Sequence, residues 1–437
     1  MAHLVVVVGA TGTQGGSVVN TLLKDSSYSV RAITRNPDGD AAKALKAKGA
    51  QVVGADLNDE NSLVDAFAGA YAIFAVTNFF EPAESVGVEQ ARKIEYQQAI
   101  NMVHAAKRTT TLQHYLWSTL PNSNALSKGK FNVHFFDVKS SVDDYIRQDK
   151  EFLAKTTFIY LSFFSKNMSY PVYVPMYLKP ANKHVQLLPL DGSTPLQSIG
   201  DASVNTGVFV RSVLNNKPAG GTYVLCVVED FTFQSYLELW GEATGLAKGE
   251  GSTAVVTISY DDYRWLWPGF GDLMGEMNAF WHFARDRSWE TPLGAKPVDA
   301  RDLMSAEDKK ALQSTATAFQ LAAAEFKEAI HQFVVSAKAQ YPSNAATEDI
   351  LQVDQGLNED LRKKWITGGF EKPQQLHISG FGVLNGRDSV PLILQESMRI
   401  LSHEKAWSSN ANAIRNALRQ MLLGGVASFH AEAKSDI

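Results

Sequence analysis

Cysteine is almost missing: the 437-residue chain has one, Cys226. That excludes an internal disulfide and suits a reducing compartment. Beside a predicted strand, Cys226 reads as core filler, not as a nucleophile. Excess positive charge is missing too, with 41 Lys and Arg against 46 Asp and Glu and a net charge of −5. Nothing therefore points to a nucleic-acid or membrane surface. No apolar run approaches the about 20 residues of a membrane span. The opening Met-Ala-His lacks the charged and apolar regions of a signal peptide. The cytoplasm is the default expectation, with the nucleus left open. The histidines show no H-x-x-x-H or paired-carboxylate spacing, so no metal is expected. The chain also lacks a G-x-S-x-G elbow and a phosphate-loop lysine motif, which makes hydrolase and ATPase readings poor. No repeat of about 20–50 residues is evident.

What is present begins at once. Leu4-Val5-Val6-Val7-Val8-Gly9-Ala10-Thr11-Gly12-Thr13-Gln14-Gly15-Gly16 reads as a strand buried on both faces, a glycine turn and a helix start. Gly9, Gly12 and Gly15 permit a tight turn and close approach of a pyrophosphate to the backbone. The helix after them aims its N-terminal N–H groups at that anion. Cofactor contacts are expected from Gly9, Thr11, Gly12, Thr13, Gln14 and Gly15.

The length suggests two or three domains. A helix over 14–24, a strand over 28–33, a helix over 40–48 and a strand over 51–54 follow in alternation. The second strand ends at Thr34-Arg35-Asn36-Pro37, where an NAD-binding site usually offers an acid to the ribose. Arg35 instead suits a 2′-phosphate, so the reading is NADP(H). Asp56 and Leu57 follow the third strand and are placed to flank an adenine. Further on come a helix over 60–67, a strand over 71–76, a helix over 88–107 and a strand over 114–117. Thr77 and Asn78 lie past the fourth strand, where ligands bind in such sheets. The rhythm predicts a doubly wound parallel sheet, the Rossmann arrangement, over residues 1–160.

Helix 132–148 shows Lys139, Asp143 and Arg147 four apart on one polar side, and strand 157–161 follows. Residues 163–195, rich in aromatics and proline, read as irregular loops over a pocket. A helix over 201–214, a strand over 223–227, a helix over 231–244, a strand over 254–258 and helical segments over 260–267 and 271–283 compose a smaller α/β lobe, 161–300. Residues 292–297 read as a linker. From Leu312 through Ala316, Phe319, Ala323, Phe326, Ile330, Phe333 and Ala337 the apolar steps alternate four and three, a heptad pattern. With helices expected over 350–365, 390–403 and 411–429, residues 305–437 read as an appended helical domain of unknown role.

The glycine stretch, Thr34-Arg35-Asn36-Pro37, Val76-Thr77-Asn78 and His134-Phe135-Phe136-Asp137 with Lys139 resemble NmrA-like proteins, which are atypical short-chain dehydrogenase/reductases. The resemblance covers roughly residues 3–300; the region from 305 has no counterpart in the family pattern. It implies an NADP-binding Rossmann domain. It also implies one of two roles: a reductase of the isoflavone-reductase kind, or a redox-sensing regulator without catalysis.

The tyrosine of the ordinary Tyr-x-x-x-Lys pair is replaced by Phe135, which carries no proton. In the isoflavone-reductase-like branch the lysine itself is the acid or base. The resemblance therefore makes Lys139 the catalytic candidate. Ser118, or its neighbour Thr119, is placed to bond a substrate carbonyl. Lys139 has a plainer alternative, pairing with Asp143 or binding only the cofactor ribose. Phe79, Phe163, Asn167 and Tyr170 are the expected substrate pocket, Asn167 by family analogy; plain core is the alternative for the aromatics. The balance favours an NADPH-dependent reductase of a small carbonyl, enone or imine. The alternative is an NADP(H)-sensing regulator with a protein partner, docked or homodimerised through the heptad helix.

Overall fold

A computed structural model of the chain describes residues 2–324. They fall into two units: one holds residues up to Asn167 and Pro175–Phe319, the other Met168–Val174 and the chain from Gln320. In the second unit Tyr173 and Val174 donate their N–H groups to the Tyr170 carbonyl, and 320–324 are helical. The heptad positions from Phe326, and the helices expected beyond them, lie outside the described residues.

The first unit runs β1 (His3–Val7), α1 (Thr13–Leu22), β2 (Tyr28–Thr34), α2 (Asp40–Ala47), β3 (Gln51–Gly54), α3 (Glu60–Phe67), β4 (Ala72–Ala75), α4 (Phe80–Val86), α5 (Val88–Arg108), β5 (His114–Thr119), α6 (Ser123–Leu126), α7 (His134–Arg147), α8 (Lys150–Leu153) and β6 (Thr156–Leu161). After it come β7 (Phe163–Phe164), β8 (Met176–Leu178), β9 (Lys183–Leu188), β10 (Pro195–Gly200), α9 (Ala202–Asn215), β11 (Thr222–Cys226), β12 (Glu229–Thr232), α10 (Phe233–Thr244), β13 (Thr253–Thr257), α11 (Tyr260–Leu266), α12 (Phe270–Ala284), β14 (Val298–Asp299) and α13 (Ala306–Ala311).

An eight-stranded sheet has the order β14-β11-β6-β5-β4-β1-β2-β3, and every pairing in it is parallel. The doubly wound Rossmann arrangement expected from the alternating pattern is present. Its order reverses between β1 and β4, the switch point outside which such sheets bind ligands. The run of valines in β1 reflects burial on both faces. Val5 and Val7 join Val18, Val19 and Leu22 of α1 and Phe209 of α9 in one cluster. Val6 and Val8 join Leu63 and Phe67 of α3 and Met102 and Val103 of α5 in the other.

Two expectations are corrected. Strand 223–227 does not stay in the smaller lobe: β11 pairs with β6, from Thr222 opposite Thr157 to Cys226 opposite Leu161. The partner lies some sixty residues back, and nothing local in the sequence records such a register. Residues 163–195 are not all loop, since β7, β8 and β9 come from them. In β9 the polar His184 and Gln186 are buried beside Val185 and Leu188, which erases the alternation that marks a half-exposed strand. Two small three-stranded sheets, β12-β10-β7 and β13-β9-β8, complete the unit.

The presumed linker at 292–297 leads straight back into the main sheet through β14. Beyond it, Arg211 of α9 pairs with Asp308 of α13. The Asn205 amide donates to the Gln313 carbonyl at 2.8 Å and accepts from the Gln313 N–H at 2.9 Å. Residues 312–314 are non-helical and a helix starts at 315, so the heptad's first step is not helical. α9 in turn crosses α1 at Gly207, whose added Cβ would lie 2.2 Å from the Ser17 carbonyl oxygen. Among the described residues no helix is long and apolar enough to cross a membrane. Cys226 is buried in β11 and burial pushes its thiol up, away from thiolate chemistry.

His114 sits buried in β5, its Nε2 2.8 Å from the Thr157 hydroxyl. Burial, with Lys217 adding to it, lowers its pKa from 6.5 to about 3. The unfolded chain therefore binds this proton more readily than the folded one between those values. The contribution is fully present above about 6.5 and is lost as pH falls towards 3. Melting temperatures measured from pH 7 down to 4.5 should fall less steeply for His114→Gln than for the wild type.

Candidate functional site

β1 hands over to α1 through Gly9, whose φ of +64° lies in the left-handed region. The Gly12 N–H closes the turn on the Gly9 carbonyl at 2.9 Å. A Cβ on Gly15 would stand 2.3 Å from the same carbonyl oxygen, so α1 packs on β1 only with glycine there. Gly12 is different. Its φ is −92° and an added Cβ would meet Gly9 oxygen at 3.4 Å, an ordinary contact. Neither a positive φ nor packing requires glycine at this exposed position. Gly12 caps α1 without a side-chain acceptor, and no acid stands in the first turn. Thr11 and Thr13 are exposed beside it, and Gln14 is half-buried.

At the end of β2, Arg35 forms a two-pronged ion pair with Glu81 of α4, with Nη1–Oε1 at 2.6 Å and Nη2–Oε2 at 3.0 Å. The bond to Glu81 raises the guanidinium's pKa further. Past β3, Asp56 Oδ1 accepts from the backbone N–H and the side-chain amide of Asn58, each at 2.9 Å, and so shapes the turn. The Leu57 carbonyl accepts from Asn101 at 2.8 Å. The two residues stand at the carboxyl end of β3, as the alternating pattern requires.

Lys139 lies on α7 and points inward. Its Nζ is 2.8 Å from Glu95 Oε1 and donates to Thr77 Oγ1 at 2.6 Å and to the Thr77 carbonyl at 3.1 Å. An ammonium has three N–H donors, and three acceptors surround this one. Thr77 Oγ1 in turn donates to Glu95 Oε1 at 2.6 Å. The Lys139 side chain is 10% exposed and that of Glu95 1%, so this is a charge pair inside the protein. The ring of Trp117 lies 5.4 Å from Nζ.

The expected Lys139–Asp143 pair does not form, and the polar stripe on α7 is not a solvated face. Asp143 is fully buried, accepting from Trp117 Nε1 at 2.9 Å and the Tyr223 hydroxyl at 3.2 Å. Burial raises its pKa well above the usual carboxylate range. Glu95 is the residue missed in the sequence. Its signal was there: it stands four residues from both Ala91 and Ala99 on the buried face of α5. An acid within an apolar helical stripe calls for a partner.

Ser118 and Thr119 lie inside β5, two residues longer than expected, and both are buried. The Ser118 hydroxyl donates to Gln14 Oε1 at 2.8 Å, which ties the glycine turn to β5. Asn78, past β4, accepts from the Phe80 N–H at 3.1 Å and starts α4.

Phe135, at the tyrosine position, packs against Phe79 at 6.0 Å, Phe80 at 5.1 Å and Phe136 at 5.1 Å between ring centres. Trp281 of α12 continues the chain from Phe136 at 6.3 Å to Phe163 at 5.8 Å. One aromatic cluster thus contains both Phe79 and Phe163, each buried within it. Phe80 and the more exposed Phe270, 5.9 Å apart, form its rim. Asn167 is half-buried in the one-turn helix Ser165–Ser169, and Tyr170 belongs to the second unit. Among the described residues no three His, Cys, Asp or Glu side chains are grouped to hold a metal.

Removing Glu95 alone strands a buried ammonium. Glu95→Ala should cost about 3–5 kcal/mol in urea unfolding, and Glu95→Met with Lys139→Met should recover most of it.

The profile of the NmrA-like family matches residues 1–248. An NmrA-like oxidoreductase of Aspergillus hancockii, hkm9, is 32% identical over 175 residues, 40% of this chain and 50% of that protein. An NmrA-like domain protein of Dictyostelium discoideum is 36% identical over 149 residues, 34% of this chain and 46% of that protein. The chain spans about half the length of the curated relatives it matches. Among solved structures, NmrA, a negative transcriptional regulator in complex with NAD, aligns with a TM-score of 0.58 at 20% identity over 75% of this chain and 97% of that one. The Citrobacter sp. triphenylmethane reductase complexed with NADP(H) aligns with a TM-score of 0.51 at 17% identity over 73% and 99%. Both share the fold. With more than half of its length matched by the family profile, the chain belongs to the NmrA-like family.

Proposed function

We propose that this protein binds NADP(H) and reduces a small carbonyl, enone or imine. The observation that carries the reading is the buried Lys139, a proton donor held at the carboxyl ends of β4 and β5 beside an aromatic cluster. Gly12 supports the cofactor, since the protein's own packing does not need that glycine. The bare first turn of α1 would receive the pyrophosphate, and Arg35 the 2′-phosphate. Bound there, the nicotinamide supplies a hydride. Lys139 exchanges one of its three acceptors for the substrate atom that becomes electron-rich and gives it a proton. Glu95 and Thr77 hold the remaining N–H groups in place. Aromatic side chains around Phe135 exclude water and favour a flat, apolar substrate. The relatives named as oxidoreductases agree with this chemistry.

A second reading has its own observation. Phe135 supplies no phenol, and all three donors of Lys139 are already engaged within the protein. A regulator that senses NADP(H) and answers to a protein partner needs neither group, and NmrA, which shares the fold, is a transcriptional regulator.

The test is NADPH consumption against ketones, enones and imines. Turnover should appear on at least one class and fall by about 10²-fold or more in Lys139→Ala. No turnover on any class, with tight NADP binding, would favour the sensor. In calorimetry Arg35→Ala should weaken NADP+ more than NAD+ by about 1–3 kcal/mol.

A further inference from the structure

Residues 77–81 span the distance between the two charged centres of the site. At one end Thr77 accepts two bonds from Lys139. At the other Glu81 fills the guanidinium fork of Arg35. Between them Asn78 accepts from the Phe80 N–H, and Phe80 rests on Phe135 and Phe270. α4 itself lies at the surface. None of its seven residues is buried, and it ends at Gly87 with φ of +79°. Glu81 and Phe80 tie its first turn to Arg35 and to the aromatic rim.

We propose that Glu81 is a stand-in for the cofactor's 2′-phosphate, and that α4 is a latch which NADP opens and NAD leaves shut. The proposal rests on the reading of Arg35 as the phosphate site. The Glu81 carboxylate holds the Nη1/Nη2 edge of the Arg35 guanidinium, one of its two two-pronged seats. A phosphate arriving there carries more negative charge and competes for the same N–H groups. Once displaced, Glu81 stands beside an anion, and repulsion keeps it away from Arg35. NAD brings no phosphate, so the pair survives. Which dinucleotide is bound would thereby be felt at Phe80, on the aromatic rim, and at Thr77, beside Lys139. Glu81 is then a determinant of cofactor preference as well as the sensing element.

The experiment uses the full chain. NADP+ and NAD+ are titrated by calorimetry into wild type, Glu81→Gln and Arg35→Ala, and amide exchange over residues 80–87 is followed with each dinucleotide. Glu81→Gln should tighten NADP+ about two- to fivefold, the range of an exposed ion pair, and leave NAD+ unchanged. Exchange over 80–87 should be faster with NADP+ than with NAD+ in the wild type, and alike with both in Glu81→Gln. An unchanged NADP+ to NAD+ ratio in Glu81→Gln, with Arg35→Ala still selective against NADP+, overturns the latch and leaves the phosphate site standing. Equal losses for both dinucleotides in Arg35→Ala overturn the phosphate site and the latch together.

Discussion

A charged amine inside a protein dictates much of what surrounds it. Lys139 is nearly excluded from water, and an isolated ammonium there would cost several kcal/mol. Glu95 offsets that charge from α5, and Thr77 supplies the remaining acceptors from the loop after β4. Three elements far apart in the chain are locked at one point. The point lies at the carboxyl ends of the parallel strands, close to the switch between β1 and β4. Its neighbours follow the same logic. Asp143, one turn further along α7, has no ion-pair partner among the described residues and is raised towards its neutral form by burial, with Trp117 and Tyr223 as hydrogen-bond partners. α7 therefore carries a paired charge and, four residues on, an acid whose ionised form burial disfavours.

Much of the Rossmann half was legible because its signals are local. The valine run of β1, the three glycines and the alternation through β5 each occupy a short window, and the elements expected there lie within a few residues of those bounds, while α4 between β4 and α5 was not expected. Glu95 was not legible as a partner of Lys139, because the pair is 44 residues apart in the chain and meets only when α5 and α7 pack. The place of β11 failed for a related reason. Its residues read as a strand, but whether that strand joins β6 or a smaller sheet depends on the long excursion through β7 to α9. Residues 312–314 show the reverse failure. Their apolar spacing is helical, yet Asn205 bonds both the carbonyl and the N–H of Gln313 and holds the segment in another conformation.

Phe135 stands four residues before Lys139, where the ordinary Tyr-x-x-x-Lys pair has its tyrosine. Its ring lies among Phe79, Phe80 and Phe136. A phenol placed in that company would need a polar partner for its hydroxyl. Phenylalanine removes the need and closes the aromatic wall. Beside that wall lies the polar Lys139–Glu95–Thr77 group, and in β5 Ser118 bonds Gln14 of α1. A lysine that must give up an internal acceptor before it reaches a ligand can answer to the ligand's presence whether or not a bond is then reduced.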